Sequence, residues 1–168
     1  MLAYCLQCQT QRCRIIAELL ERKGMDRAFS PRIVSRQRRK GRTEDTTYEL
    51  LPGYVFAYSE NQFTFFEAFT DIDGIIRCLG ANEYGAAGLQ GPDYDFAMDL
   101  YQKNGVVGAV TLLKEGDHVR MKDPLFEKYN CTILSVDHRK QRAKVQFDFD
   151  NRSWTIWVAC DVLYLDSQ

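Results

Sequence analysis

Apolar positions in the first part of this chain recur at both strand and helix spacing; from Leu112 onward only short strand-like runs remain. Tyr4–Gln9 alternates as a first strand. Arg12–Lys23 predicts an amphipathic helix with Ile15, Ile16, Leu19 and Leu20 as its stripe and Gly24 as its stop. Ala28–Val34 predicts a second strand, which Pro31 confines to an edge or a bulge. The stretch that organises this half is Leu50-Leu51-Pro52-Gly53-Tyr54-Val55-Phe56-Ala57-Tyr58. Pro52-Gly53 makes a turn, and the residues after it favour a strand. Period two places Tyr54, Phe56 and Tyr58 on one face and Val55 and Ala57 on the other. Either a helix covers the aromatic face or that face docks a partner.

Further on, Asn61 caps an expected helix through Phe63, Phe65, Phe66 and Phe69, and Ile75–Leu79 reads as a strand. Gly80–Gly91 reads as an irregular loop without a phosphate-loop pattern. Pro92 opens a helix carrying Phe96, Met98, Leu100 and Tyr101, closed by Asn104-Gly105. The order β-α-β-β-α-β followed by a helix is the ferredoxin-like, split βαβ order. In the tail, strands are expected at His118–Met121, Cys131–Val136, Ala143–Phe149, Ser153–Val158 and Val162–Leu165, with a hairpin turn at Asp148–Asn151. Their close spacing predicts a small barrel. The fold class is therefore α+β, with domains at 1–105 and 112–168 and a short apolar linker at 106–111.

Composition narrows the chemistry. With 168 residues and a net charge of −1, the chain has no global basic field, so any polyanion must be met by local patches. Arg36–Arg42 is one such block; it reads as a solvated loop by default, but between two strands it projects as a mobile arm suited to phosphates or an acidic protein surface. The N-terminal residues read directly as a strand rather than a signal segment, so a cytoplasmic protein without membrane contact is expected. The six cysteines read as small hydrophobic thiols. Cys5 and Cys8 lie three apart on a strand and face opposite ways, which does not suit a shared metal. No metal and no cofactor is expected. His118 and His138 both lie in the tail, so no Cys/His/Asp constellation is visible and no enzyme is expected.

Pro31-Arg32, the charged gap and Leu51-Pro52-Gly53-Tyr54-Val55-Phe56 together resemble the N-terminal (NGN) domain of the NusG family of transcription elongation factors. Glu115-Gly116-Asp117-x-Val119-Arg120 resembles the start of that family's C-terminal KOW domain. The resemblance covers nearly the whole chain and implies a ferredoxin-like NGN domain followed by a small SH3-like KOW β-barrel. It implies that Gln7, Tyr54 and Phe56 meet the β′ clamp helices of RNA polymerase, with Arg38 and Arg39 on the arm approaching the cleft from the opposite side. It places Gln9, Arg12 and Arg14 near non-template DNA. In the KOW domain it implies that Phe126 and Tyr129 meet a ribosomal protein or a termination factor, and that Arg139, Lys140, Arg142 and Lys144 suit nascent RNA. Three departures stand out: Gln11-Arg12 replaces a glycine-plus-acid pair, Cys131 replaces the KOW glycine, and the linker is short and apolar. They point to a specialised, monomeric paralogue of the LoaP or RfaH kind that promotes antitermination on selected operons. The alternatives are a housekeeping elongation factor, a general RNA-binding or ribosome-associated KOW module, and a thiol enzyme using Cys5 or Cys8.

Overall fold

The computed structural model describes residues 1–62, 69–80, 88–127, 129 and 131–165. In chain order its strands are β1 (Leu2–Cys8), β2 (Arg27–Phe29), β3 (Arg32–Arg39), β4 (Arg42–Glu49), β5 (Tyr54–Ser59), β6 (Ile75–Cys78), β7 (Val106–Val107), β8 (Val110–Glu115), β9 (His118–Lys122), β10 (Thr132–Asp137), β11 (Arg142–Phe149) and β12 (Arg152–Tyr164). Its helices are α1 (Cys13–Arg22), α2 (Gly91–Gln102) and the single turn α3 (Pro124–Glu127). The fold is α+β and mostly sheet. The chain forms two compact units, Met1–Pro31 with Glu49–Gly105, and Arg32–Tyr48 with Val106–Gln168.

The first unit is a sheet in the order β2-β5-β1-β6. β1 pairs antiparallel with β5 on one side and with β6 on the other, with a bulge at Gln7/Cys8. One sheet face, Tyr4, Leu6, Cys8, Val55 and Ala57, packs under α1 through Cys13, Ile16, Ala17 and Leu20. Ile15, expected in that stripe, is 49% exposed. It lies about 100° round the helix from Ile16, too far to share its contact line. The other face packs under α2. The Phe56 and Phe96 rings lie 6.0 Å apart, Tyr58 and Tyr101 4.8 Å apart, and the Tyr58 hydroxyl donates to the Ala97 carbonyl at 2.7 Å. Burial pushes the Tyr58 phenol pKa up, so it stays a neutral donor. The helix expected through Phe63 falls largely on residues 63–68, outside the described residues. Phe69 itself is buried, its ring 5.9 Å from that of Tyr4.

The expected strand Ala28–Val34 is two strands in different sheets. Pro31 has no N–H to donate, its carbonyl accepts from Leu50 N–H at 2.9 Å, and the ladder breaks there. β3 and β4 then make the arm, a regular hairpin whose tip, Lys40-Gly41, has positive φ at both residues. The arm groups with the barrel rather than with residues 1–31, because β7 pairs parallel with β3 through Arg32↔Val106 and Ile33↔Val107. The stretch expected as a linker is thus partly β7 and, from Val110, the start of β8.

The barrel sheet runs β10-β11-β12-β8-β9 around a core that includes Leu112, Leu125, Val145, Phe147 and Val158. β12 is continuous where two strands were expected. It pairs antiparallel with β11 over Arg152–Ala159, then parallel with β8 over Cys160–Tyr164. Val158, Ala159 and Cys160 are all buried at the change of partner, so the core holds the strand through it. Asp150 and Asn151, both at positive φ, form the expected hairpin turn.

Candidate binding surfaces

Three strands bring Tyr54, Gln7 and Arg77 into one row across the first sheet. The Gly53 turn fixes the end of that row. Gly53 has φ +88°, its carbonyl accepts from Cys8 N–H at 2.7 Å, and a Cβ on it would stand 3.3 Å from the Cys8 carbonyl oxygen. Only glycine meets both demands without strain. Tyr54 is 1% exposed and Phe56 0%, which corrects the expectation that they form an open aromatic patch. The cover over Phe56 is α2, supplied by a segment far downstream. Gln7 is half-buried and its side-chain oxygen accepts from Arg77 Nε at 2.7 Å. The accessible part of the row is Arg77 with the neighbouring Ile76 in the bulge. Both lie on the strand expected at Ile75–Leu79, but their exposure was not legible there, because a bulge is a matter of register between strands.

The three residues expected near DNA have different fates. Gln9 is exposed and its N–H donates to Gly74 O at 2.8 Å. Arg12 is tied down: its Nε donates to the Asp73 carbonyl at 3.1 Å and its guanidinium lies 3.8 Å from the Asp73 carboxylate. These bonds make Arg12 a clamp on the Asp73-Gly74 turn. Arg14 faces solvent, with Glu18 one helical turn on at 3.4 Å.

All six cysteines are free. Burial pushes the thiol pKa values of Cys78, Cys131 and Cys160 up to about 11, which keeps them protonated at neutral pH. The side-chain hydrogen bond between Cys8 and Cys13 raises the Cys8 pKa, with burial adding to it, and lowers the Cys13 pKa against the opposing effect of burial. Among the described residues no three His, Cys, Asp or Glu side chains form a metal-holding group, and no helix is long and apolar enough to cross a membrane.

In the second unit, Arg38 and Arg39 are exposed on the arm, as expected. Arg36 is not: its side chain is 14% exposed and bridges three groups. Its Nε donates to Asp45 at 3.0 Å, and its terminal nitrogen donates to the Cys160 carbonyl and to Asp161 at 2.9 Å each. Desolvation opposes its charge, but the bonds to Asp161 and Asp45 outweigh it and raise its pKa.

The barrel's basic turn is partly self-satisfied. Arg139 is exposed, and Lys140 is half-buried with its N–H donated to Asp137 at 3.0 Å. Arg142 is half-buried with partners inside its own unit: its guanidinium lies 4.2 Å from the centroid of the Trp157 ring and 3.8 Å from Asp137. Lys144 is half-buried in register with Trp157. Phe126, expected to meet a partner, is buried with its ring 6.2 Å from Phe147. Burying its ring against Phe147 removes apolar area from water. Tyr129 is half-buried, and a cavity of about 540 Å³ lined by Phe126, Met121, Cys131 and Ile133 lies between β9 and β10.

Set against known proteins, residues 3–88 match the family model NusG, described as transcription termination factor nusG. The match contains Leu50–Tyr58 together with the arm. No curated protein matches the chain.

Proposed function

The chain belongs to the NusG family of transcription elongation and termination factors, and from that premise we propose that it is a non-enzymatic antitermination factor that rides on RNA polymerase at selected operons. The observation that carries the reading is the family match over residues 3–88. The sheet order β2-β5-β1-β6, with α1 between β1 and β2, supports a ferredoxin-like NGN domain. The five-stranded barrel supports a KOW domain. Gln7 and Arg77 offer a polar contact to a polymerase helix, while Tyr54 and Phe56 act from beneath as the packed floor that holds the row in place. Arg38 and Arg39 supply the second approach. The departures at Gln11-Arg12 and Cys131 favour a specialised paralogue over a housekeeping one.

The test is transcription in vitro across an intrinsic terminator with the cognate polymerase and the operon's own leader. Leader-dependent readthrough is expected, and Gln7→Ala combined with Arg77→Glu is expected to bring it down to the level without factor. Readthrough on any template would replace the selective role with a general one. No effect on pausing or termination would remove the proposal.

A further inference from the structure

Cys8 closes β1 and Cys13 opens α1, with only Gln9 and the single turn Thr10–Arg12 between them. Both side chains are buried in the core under α1, at 3% and 1% exposure. The chain doubles back over that short segment, so the Cys13 sulfur lies 3.6 Å from the carbonyl oxygen of Gln9, the residue next to Cys8. The two thiols hydrogen-bond each other. Cys78 shares the same core and is the competing partner. Two thiols in contact across so short a loop can be oxidised to a disulfide, and the transcription reading makes no use of them.

The pair is asymmetric. The hydrogen bond from Cys8 foremost, then the Gly53 and Cys13 N–H groups, lower the Cys13 pKa against burial and the Glu49 carboxylate. The N-terminal end of α1 adds a partial positive charge at Cys13. Cys13 is therefore the nucleophile, and Cys8 is the neighbour that keeps its proton. Both are tied to the turn that ends the polymerase row. The Gly53 carbonyl accepts from Cys8 N–H at 2.7 Å while the Gly53 N–H donates to the Cys13 sulfur, and Gln9 N–H donates to the Gly74 carbonyl at 2.8 Å. That turn has no slack: a Cβ on Gly53 would stand 3.3 Å from the Cys8 carbonyl oxygen and 3.4 Å from Thr10 Oγ1.

We propose that Cys8 and Cys13 form a peroxide-sensitive switch, whose disulfide displaces the Gly53 turn and so disables the Gln7–Arg77 contact. The Cys13 thiolate attacks one oxygen of hydrogen peroxide. The O–O bond breaks, hydroxide leaves and takes up the proton that Cys13 released, and Cys13 becomes a sulfenic acid. The Cys8 sulfur then attacks the Cys13 sulfur. The S–O bond breaks, the S–S bond forms, and the hydroxyl leaves with the Cys8 proton as a second water. The pair loses two electrons and the peroxide gains them. A dithiol reverses the step by exchange and is itself oxidised to a disulfide. The joining residues Gln9–Gln11 are exposed, so an oxidant as small as hydrogen peroxide needs only that turn to open. An S–S bond of about 2 Å is shorter than any thiol–thiol hydrogen bond, so closure draws the two ends together and shifts the turn packed against both. The disulfide itself needs no polymerase; its consequence for the row rests on the polymerase reading.

The test begins with the full chain, oxidised with hydrogen peroxide, freed of it, alkylated with iodoacetamide and cut with trypsin. Cleavage after Arg12 separates the two cysteines unless a disulfide joins them. A linked peptide lighter by two hydrogens and released by dithiothreitol is expected. In Cys8→Ser, Cys13 is expected to stop at the sulfenic acid and to take up dimedone. Hydrogen exchange at the Cys8 and Gln9 N–H groups is expected to quicken in the oxidised chain, because their bonds to Gly53 and Gly74 loosen. In the terminator assay, readthrough is expected to fall to the level without factor on oxidation, to return with dithiothreitol, and to survive peroxide in Cys13→Ser. No linked peptide, or one joining either cysteine to Cys78, overturns the proposal. So does unchanged exchange at both N–H groups, or full readthrough by a factor shown to carry the disulfide. A reduced factor without readthrough counts against the polymerase reading instead, and the linked peptide and the exchange rates then decide the switch without it.

Discussion

In the unit built on β5, the aromatic row lies under α2 and the charged side chains stay at the rim; in the arm-and-barrel unit, Tyr164 stands open to solvent while an arginine side chain, Arg36, is only 14% exposed. The first unit is held by apolar area on both faces of a sheet, a diffuse force that grows with each ring covered. The second joins its hairpin to its barrel partly through directed bonds from one guanidinium to Asp45, Asp161 and a main-chain carbonyl. The contrast teaches that an aromatic residue is a poor guide to a surface until its cover is known, whereas a cation's partners decide whether it holds the fold together or is left to bind.

The sharpest way to break this comparison is to delete one ring from each unit. Phe56→Ala should destabilise the first unit by about 3–5 kcal/mol in urea unfolding, while Tyr164→Ala should cost less than about 0.5 kcal/mol. Equal costs would erase the distinction. The next largest effect is the coupling between Arg36 and Asp161. A double-mutant cycle with Arg36→Ala and Asp161→Ala should give about 1 kcal/mol, since Asp161 remains largely solvated. A coupling near zero would mean that strand pairing alone holds the arm. The smallest effect belongs to the exposed pair Lys23–Asp71 in the first unit. The hydrogen bond from Lys23 holds Asp71 below the usual carboxylate range. Its contribution is therefore present above the ordinary carboxylate pKa and is lost as pH falls through the lowered one. Asp71→Asn should remove that small acid-side slope, read as Tm against pH.

Much of the first unit was legible because its signals are local. Pro52-Gly53, the alternation from Tyr54 to Tyr58 and the Asn104-Gly105 stop each act within a few residues. Ile15 was misplaced by a single step round the helix. The burial of Tyr54, Phe56 and Phe126 was not legible, since it depends on which distant segment arrives to cover them. The pairing of the arm with β7 was hidden for the same reason: two valines after a glycine look like a connector until a strand edge from residues 32–33 is brought beside them. Among the candidate contacts, the sequence marked Arg38, Arg39 and Arg139 correctly as exposed cations. It could not separate them from Arg12, Arg36 and Arg142, whose partners lie elsewhere in the chain or across a strand pair.

The pairing of β7 with β3 has a consequence for anyone who would transplant the barrel. A cassette cut at residue 106 and fused to another host would leave behind the hairpin that supplies the neighbour of β7 and the guanidinium bonded to Asp161. A chimera built from this chain therefore has two seams to respect rather than one: the exchangeable module is discontinuous, and residues 32–48 travel with it.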